Sequence, residues 1–431
     1  MNMRFLKKIE LFFNYLFSGK IYGFITLSKS INLNKSIKLI NNESDNIILS
    51  FESNFSNILG DGNCVSYSAG RMGLFELLKI ININDGDEVI VNSGNCSVMI
   101  NAILNANAKP VFSDVDPETY GSCPVEIKNN ISPKTKMIIA QHSFGIPCKI
   151  NEIRDIANNN NIFLLEDCAL TLESEFNKIK VGNFGDAALF SFDHTKPLNG
   201  FSGGLIYTRD FKLYNNLKKN SLKNKRLSKT KQKMMLFRHA YEQIFNTPSN
   251  YRYIKILDLV MPFIRLIGIP SPFLNENSGI ENSTCTYPYP SKMPTFIADH
   301  LNDQLNSHWK MIKKLREYNL NLLLSEFKKS KIKSAIPNIY SDDEYKIIPS
   351  RLVLCDLNNF VDLKHLFKDL ISIDEVWFQS PIVNRNIPLK DYGFDETKNK
   401  KSMLIGDKIL NIPLDFDKKN LQTLLKRIKQ L

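Results

Sequence analysis

The chain has 431 residues, 43% of them hydrophobic and 23% charged, a globular composition long enough for two domains and unlike disordered or fibrous chains. No run of about 18 uncharged apolar residues occurs, which argues against a membrane-spanning helix. The net charge is +12 and crowds between Lys218 and Lys233; with no zinc finger, aromatic RNA platform or helix-turn-helix around it, that run reads as a solvated helix face or loop, and no nucleic-acid partner is expected.

Met1–Leu27 reads as an amphipathic helix packed on the body. Lys7, Lys8 and Lys20 interrupt its apolar run and no small-residue cleavage site follows, so a secretory signal is disfavoured. Further on, SYSAGRMGLFELL places the turn Ala69-Gly70-Arg71 at the opening of a helix. Six strand patterns follow, at Gly86–Ser93, Lys109–Asp116, Lys136–His142, Asn161–Cys168, Asp186–Phe192 and Gly203–Thr208. The segments MGLFELLKI, SVMINAILNAN and INEIRDIANNN are helical and lie between them. Such alternation predicts an α/β fold, a mainly parallel central sheet flanked by helices, with ligands at the carboxyl ends of the strands.

The pattern changes after Asp210. Residues 211–238 are basic and helical in composition, and 239–273 carry an apolar stretch broken by Pro262, Gly268 and Pro270. A Pro-rich passage at Tyr287–Pro294 precedes a long amphipathic helix, from about Phe296 to Phe327, and the last helix follows Asp417. The expected organisation is an N-terminal helical extension (1–45), a large α/β domain (46–275) with an insertion at about 212–273, and a smaller C-terminal α+β domain (276–431). The insertion is expected to pack on the body, over the site or at an interface; a peripheral membrane contact is the weaker reading, because its prolines break any long amphipathic face.

Seven cysteines (Cys64, Cys96, Cys123, Cys148, Cys168, Cys285 and Cys355) are scattered without a C-x-x-C pair. Free thiols in a reducing cytoplasm fit them best. The six histidines show no metal-ligand spacing, so no metal site is expected.

Four features near strand ends carry chemistry. The Gly70 turn offers backbone N–H groups at a helix N-terminus, a phosphate cradle, with Arg71 as a charged addition. Asp167 ends an apolar strand, where a carboxylate can hold a pyridinium nitrogen protonated, or simply cap a helix. Lys196 follows FSFDHT in a polar turn before Pro197; a desolvated lysine there can form an imine, although most lysines are plain surface groups. Ser191 ends the strand before it and is a phosphate donor. In NSGNCSVMINA, Cys96 or Asn95 can cover one face of a flat cofactor, or the loop can be only a loop.

Together these features resemble a known family. The order is a Gly turn into a helix, then GDEVIV, DVDPETY, a His-bearing strand end, LLEDCA, and GNFGDAALFSFDHTKPL followed by GG. It is similar to the DegT/StrS-type nucleotide-sugar aminotransferases, which are pyridoxal-phosphate (PLP) enzymes of fold type I. The likeness is dense from about Val65 to Asp210 and looser in MPTFIADHLNDQLNSHWKMIKKLREY and ILNIPL. It implies that Lys196 carries the cofactor as a Schiff base and that Asp167 pairs with the pyridine nitrogen. It implies that Ser191, Gly70 and Arg71 hold the phosphate, and that Cys96 and His142 line the pocket. The implied substrates are a nucleotide-linked keto sugar and an amino-acid donor, glutamate first, in a cytoplasmic homodimer.

Three positions depart from the family pattern. Leu170 stands where glutamine or histidine is common, and Cys96 where an aromatic ring often stacks. Pro290-Ser291-Lys292 replaces an Asn-x-Arg that crosses the dimer, which puts more weight on Arg71, Ser191 and Lys292 for the phosphate. A PLP-dependent sugar dehydratase shares the fold but usually has histidine in place of the lysine, so Lys196 favours transamination. A catalytically retired relative that only binds a partner is the alternative from another class.

Overall fold

The computed structural model describes Phe13 and residues 22–266, 268–269, 271–274, 287–356, 363–373, 378, 380–383 and 387–431. The expected helix at Met1–Leu27 lies mostly outside these residues, as does Cys285; the described end, 22–27, is not helical, and Tyr22 bridges Ile371 in parallel.

Seven strands form the central sheet: β1 (Asn63–Tyr67), β2 (Glu88–Asn92), β3 (Lys109–Ser113), β4 (Thr135–Gln141), β5 (Phe163–Asp167), β6 (Ala187–Ser191) and β7 (Gly204–Thr208). Their order is β1-β7-β6-β5-β4-β2-β3. Only β7 runs against its neighbours; all other pairs are parallel. Six strands therefore end on one edge of the sheet. The run EVIVN of β2 is buried at every position, as expected for a strand covered by helices on both faces. β1, NCVSY, is the one sheet strand absent from the expected set: five residues with polar Asn63 and Ser66 show too little apolar period to stand out.

Helices α1 (Leu33–Asn41), α2 (Asp45–Leu59), α3 (Gly70–Ile80), α4 (Ser97–Asn105) and α5 (Ile150–Asn159) precede the sheet strands or lie between them in the chain. α6 (Phe211–Ser221), α7 (Lys229–Phe245) and α8 (Tyr251–Leu266) make up the segment after the sheet. Local capping defines their starts. Asp210 accepts from the N–H groups of Lys212 and Leu213 at α6, and Ser228 from Lys231 at α7. α8 runs on through position 262, where the sequence suggested a break.

The expected helix from Phe296 to Phe327 is two helices, α9 (Thr295–Ser307) and α10 (Trp309–Phe327), parted at His308 (φ −119°, ψ −35°). α10 thereby turns out of one core and into another. Phe296, Leu301, Trp309 and Ile312 pack with the sheet, while Leu320, Leu323 and Phe327 join a second cluster. That cluster holds β8 (Arg351–Leu354) paired antiparallel with β9 (Leu410–Pro413), together with α11 (Lys418–Ile428). α9 itself packs on α1 and α2, so the apolar division between the two cores falls within α10.

Candidate active site

The edge where six strands end opens into a cavity of about 790 Å³. Lys196, Asp167, Ser191, Gly70, Arg71, Cys96 and His142 all line it, with Leu170 beside them. The chain brings these residues together because each sits at, or just past, the carboxyl end of a strand, or on the turn that leads into α3.

One end of the cavity is an anion cradle. The N-cap of α3, Ala69, is extended and has no side-chain capping hydrogen bond, so the first amides of the helix are left for a ligand. Close approach to the sheet places them there: a Cβ on Gly204 would lie 2.3 Å from both N and Cα of Gly70. Ser191 faces the same space. The Arg71 guanidinium, by contrast, donates through Nη2 to the Leu274 carbonyl at the end of the inserted segment. Lys292 is not among the lining residues; its Nζ is 3.6 Å from Asp45.

Asp167 is 5% exposed at the end of β5. Its Oδ1 accepts from Ala169 N–H at 2.9 Å. Burial pushes its carboxyl up, while the Ala169 N–H and the nearby charge of Lys196 pull the other way. A buried carboxylate of this kind calls for a cation beside it. The neighbouring Glu166 points into the protein instead. It accepts from the N–H groups of Gly182, Phe184 and Gly185 at 2.7, 2.7 and 2.8 Å, and from His142 Nε2 at 3.1 Å. His142 Nδ1 accepts from Cys148 N–H, which leaves the proton on Nε2. His142 thus lines the cavity with both ring nitrogens engaged. Glu166, His142 and Cys168 offer ligand atoms within 4.8 Å of one another, but the backbone amides already occupy the lone pairs a metal would need.

The turn bearing Lys196 is held from several distant parts of the chain. Thr26 Oγ1 donates to the Lys196 carbonyl at 2.7 Å, and Thr26 N–H to His194 O at 3.0 Å. Arg316 donates to Pro197 O at 2.9 Å, and Arg351 to Thr195 O at 3.2 Å. His194 Nδ1 lies 3.0 Å from Glu242 of α7. Burial alone would lower the His194 imidazolium, but Glu242, joined by Asp193, raises it to about 9. Glu242 also accepts from Arg238 Nε at 2.7 Å, and Arg238 Nη1 reaches Asp258 of α8 at 2.7 Å.

The insertion is therefore a wall of the cavity. Arg238, Tyr251, Ile254, Lys255, Asp258 and Phe273 line it. Sequence reasoning reached these residues only as a segment, since their partners lie tens to hundreds of residues away. The one local signal is the Arg238–Glu242 pair, four apart on a helix that is otherwise turning apolar. Cys96 sits half-buried on the opposite side, on a two-residue strand that pairs in parallel with Ile382–Val383 and so admits Val383 to the cavity.

The sequence profile of the DegT/DnrJ/EryC1/StrS aminotransferase family matches residues 35–253. The chain belongs to this family. Similar proteins include an uncharacterized protein of Methanocaldococcus jannaschii, 39% identical over 160 residues (37% of this chain, 42% of that protein). The GDP-perosamine synthase of Escherichia coli O157:H7 is 37% identical over 164 residues (37% of this chain, 45% of that protein). The matches thus span less than half the length of these curated relatives. The aminotransferase from Psychrobacter cryohalolentis has the same fold, with a TM-score of 0.68 at 18% identity over 94% of this chain and 98% of that one. In this DegT-family chain Lys196, Asp167, Ser191, Gly70, Arg71, Cys96 and His142 fall within the matched stretch, whereas Arg351, Phe273 and Val383, which also line the cavity, fall outside it.

Proposed function

We propose that this protein is a PLP-dependent aminotransferase that moves an amino group from an amino acid to a nucleotide-linked keto sugar. The observation that carries this reading is the meeting of Lys196, buried Asp167 and the uncapped start of α3 around one cavity. The relatives named GDP-perosamine synthase, dTDP-4-dehydro-2,3,6-trideoxy-D-glucose 4-aminotransferase and UDP-N-acetyl-3-dehydro-alpha-D-glucosamine 3-aminotransferase support the sugar class. No disulfide joins the six described cysteines, in keeping with a reducing cytoplasm. We read the working unit as a homodimer.

The donor set suits the cofactor. Pyridoxal phosphate, when bound, supplies an electron sink for the charge that develops at the donor α carbon. The amides of Gly70 and Arg71 and the Ser191 hydroxyl hold its phosphate end. Asp167 keeps a proton on the ring nitrogen, and burial strengthens that ion pair. Lys196 anchors the cofactor through Nζ. The same Nζ would serve as general acid and base for the proton at the donor α carbon. Leu170, Ile254 and Phe273 exclude water around it.

The test is spectroscopic. Purified protein with pyridoxal phosphate should show an imine absorbance band that borohydride traps on Lys196, and L-glutamate should bleach it. Lys196→Ala should show neither. Mass spectrometry of a panel of nucleotide-linked keto sugars, incubated with enzyme and glutamate, then identifies the amine product. An intact band in Lys196→Ala would end the proposal.

A further inference from the structure

The insertion carries a second face that the cavity does not use. α7 buries Met235, Leu236, Arg238 and Glu242 against the body. Its other side shows Lys233, Met234, Phe237, Ala240, Tyr241 and Ile244, spaced three and four apart and so on one side of the helix. Phe237 is 55% exposed and Ile244 66%. The stripe continues onto α8. Tyr241 Oη donates to Tyr253 O at 3.0 Å, the Phe245 and Tyr253 rings lie 5.5 Å apart, and Tyr253 is 37% exposed. The prolines that spoke against a long amphipathic face, Pro262 and Pro270, lie beyond α7.

An apolar face left in water is unfavourable, and a contiguous one marks a contact surface. Charge decides what this one meets. The one acidic residue of α7, Glu242, is on the buried side, so the stripe on that helix holds no negative charge. Lys229 and Lys233 are exposed toward its N-terminal end, as are Lys223 and Lys225 in the turn before it. Cations beside an aromatic and aliphatic stripe fit the boundary of an anionic bilayer: the rings enter the acyl edge and the ammonium groups stay with lipid phosphates. A nucleic acid would use the cations and leave Phe237 and Ile244 in water. A second copy, meeting this face of α7 with its own, would take Lys233 out of water with no carboxylate to meet it.

The start of the chain arrives at the same corner. A Cβ on Gly23 would lie 1.7 Å from Tyr251 Cζ, and Ile25 shares a cluster with Tyr251, Ile254, Tyr241 and Phe245. The sequence preceding Tyr22 holds Leu11, Phe12, Phe13, Leu16 and Phe17 with Lys7, Lys8 and Lys20, the same pairing of apolar and basic groups. We propose that the exposed face of α7 and α8 docks the protein on the surface of an anionic membrane. The contact is with the lipid surface: no described helix is long and apolar enough to cross a membrane. The inference is independent of the aminotransferase reading, since docking requires no cofactor.

The test is flotation of the full-length protein with vesicles of equal parts phosphatidylcholine and phosphatidylglycerol. Wild type should float with them, far less with phosphatidylcholine alone, and less in about 1 M salt, where the screening length falls to about 3 Å. Phe237→Glu combined with Ile244→Glu should lower the partition coefficient about 100-fold, about tenfold for each apolar side chain kept out of the bilayer. Both positions are exposed, so the melting temperature should stay as in wild type. Should the acidic pair not fold, Phe237→Gln with Ile244→Gln takes its place, with a loss in the same direction. Val125→Glu, at an apolar residue 63% exposed outside the insertion, is the control and should float like wild type. Wild type that stays in the dense layer, or flotation equal in wild type and the folded double variant, overturns the inference. So does an equal loss in Val125→Glu. Light scattering reads the other occupant: a double variant that drops from a dimer to a single chain assigns the stripe to a second copy and overturns the lipid contact.

Discussion

Glu242, on the inserted helix α7, sets both carboxylate oxygens 3.0 Å from Nδ1 of His194, two residues before Lys196. The contact joins a segment outside the sheet to the turn that carries the reactive amine. Burial would raise the Glu242 carboxyl, but His194 and Arg238 hold it below its ordinary value. The pair is therefore charged on both sides across the neutral range.

This gives stability a defined pH dependence. The folded pKa of His194, about 9, lies above its ordinary value of 6.5. Its contribution is full below the ordinary value and is lost as pH rises through about 9. The Glu242 contribution is lost at the acid end, as pH falls through its lowered folded pKa. Glu242→Gln should cost about 3 kcal/mol at pH 7, the lower range for breaking a buried pair, and should flatten the alkaline decline. Melting temperatures from pH 6 to pH 10 check both. An unchanged alkaline slope in Glu242→Gln would remove the pair as its cause.

Asp167→Asn separates holding the cofactor from using it. Lys196 and the α3 cradle are untouched, so the imine band should still form. Without a carboxylate beside the ring nitrogen, the proton there is no longer held, and the transamination rate should fall about 10²–10⁴-fold, the range for losing a positioned proton-handling group. Single-turnover bleaching by glutamate measures it. A rate within tenfold of wild type would mean that Asp167 serves only the fold.

The strand ends were legible because their signals are local. An apolar run followed by Glu166-Asp167 marks a buried strand and its edge, and FSF before Asp193 marks another. Gly70 and Lys196 could be placed because the turns that carry them follow directly. Thr26, Glu242, Arg316 and Arg351 were not legible as parts of the site. Each reaches the Lys196 turn by folding back over 48 to 170 positions, and no periodicity encodes such a contact. The break at His308 was hidden for a related reason: the apolar period runs on through it, and the turn is set by which core each half joins.

Gly204→Ala tests whether α3 must begin this close to the sheet. Gly204 is not among the residues with positive φ, so alanine suits its backbone and the cost is steric alone. The added Cβ would lie 2.3 Å from Gly70 N and Cα and 2.8 Å from the Phe190 carbonyl. All three are backbone atoms, so no side chain can swing aside, and the start of α3 has to retreat. The expected loss is about 3 kcal/mol or more, at the upper end for overpacking, with weaker binding of pyridoxal phosphate because the amide cradle moves with the helix. Gly70→Ala is the control on the other side of the same contact. Its nearest neighbour would be the Phe190 carbonyl at 3.2 Å, with side-chain carbons at 3.4 and 3.5 Å, and alanine is the better helix former, so stability should change by less than about 1 kcal/mol. Denaturant melts of the apo-proteins and cofactor titrations measure the two effects separately. Equal losses in the two variants would mean that the cradle depends on glycine at the helix start itself, not on the closeness of β7.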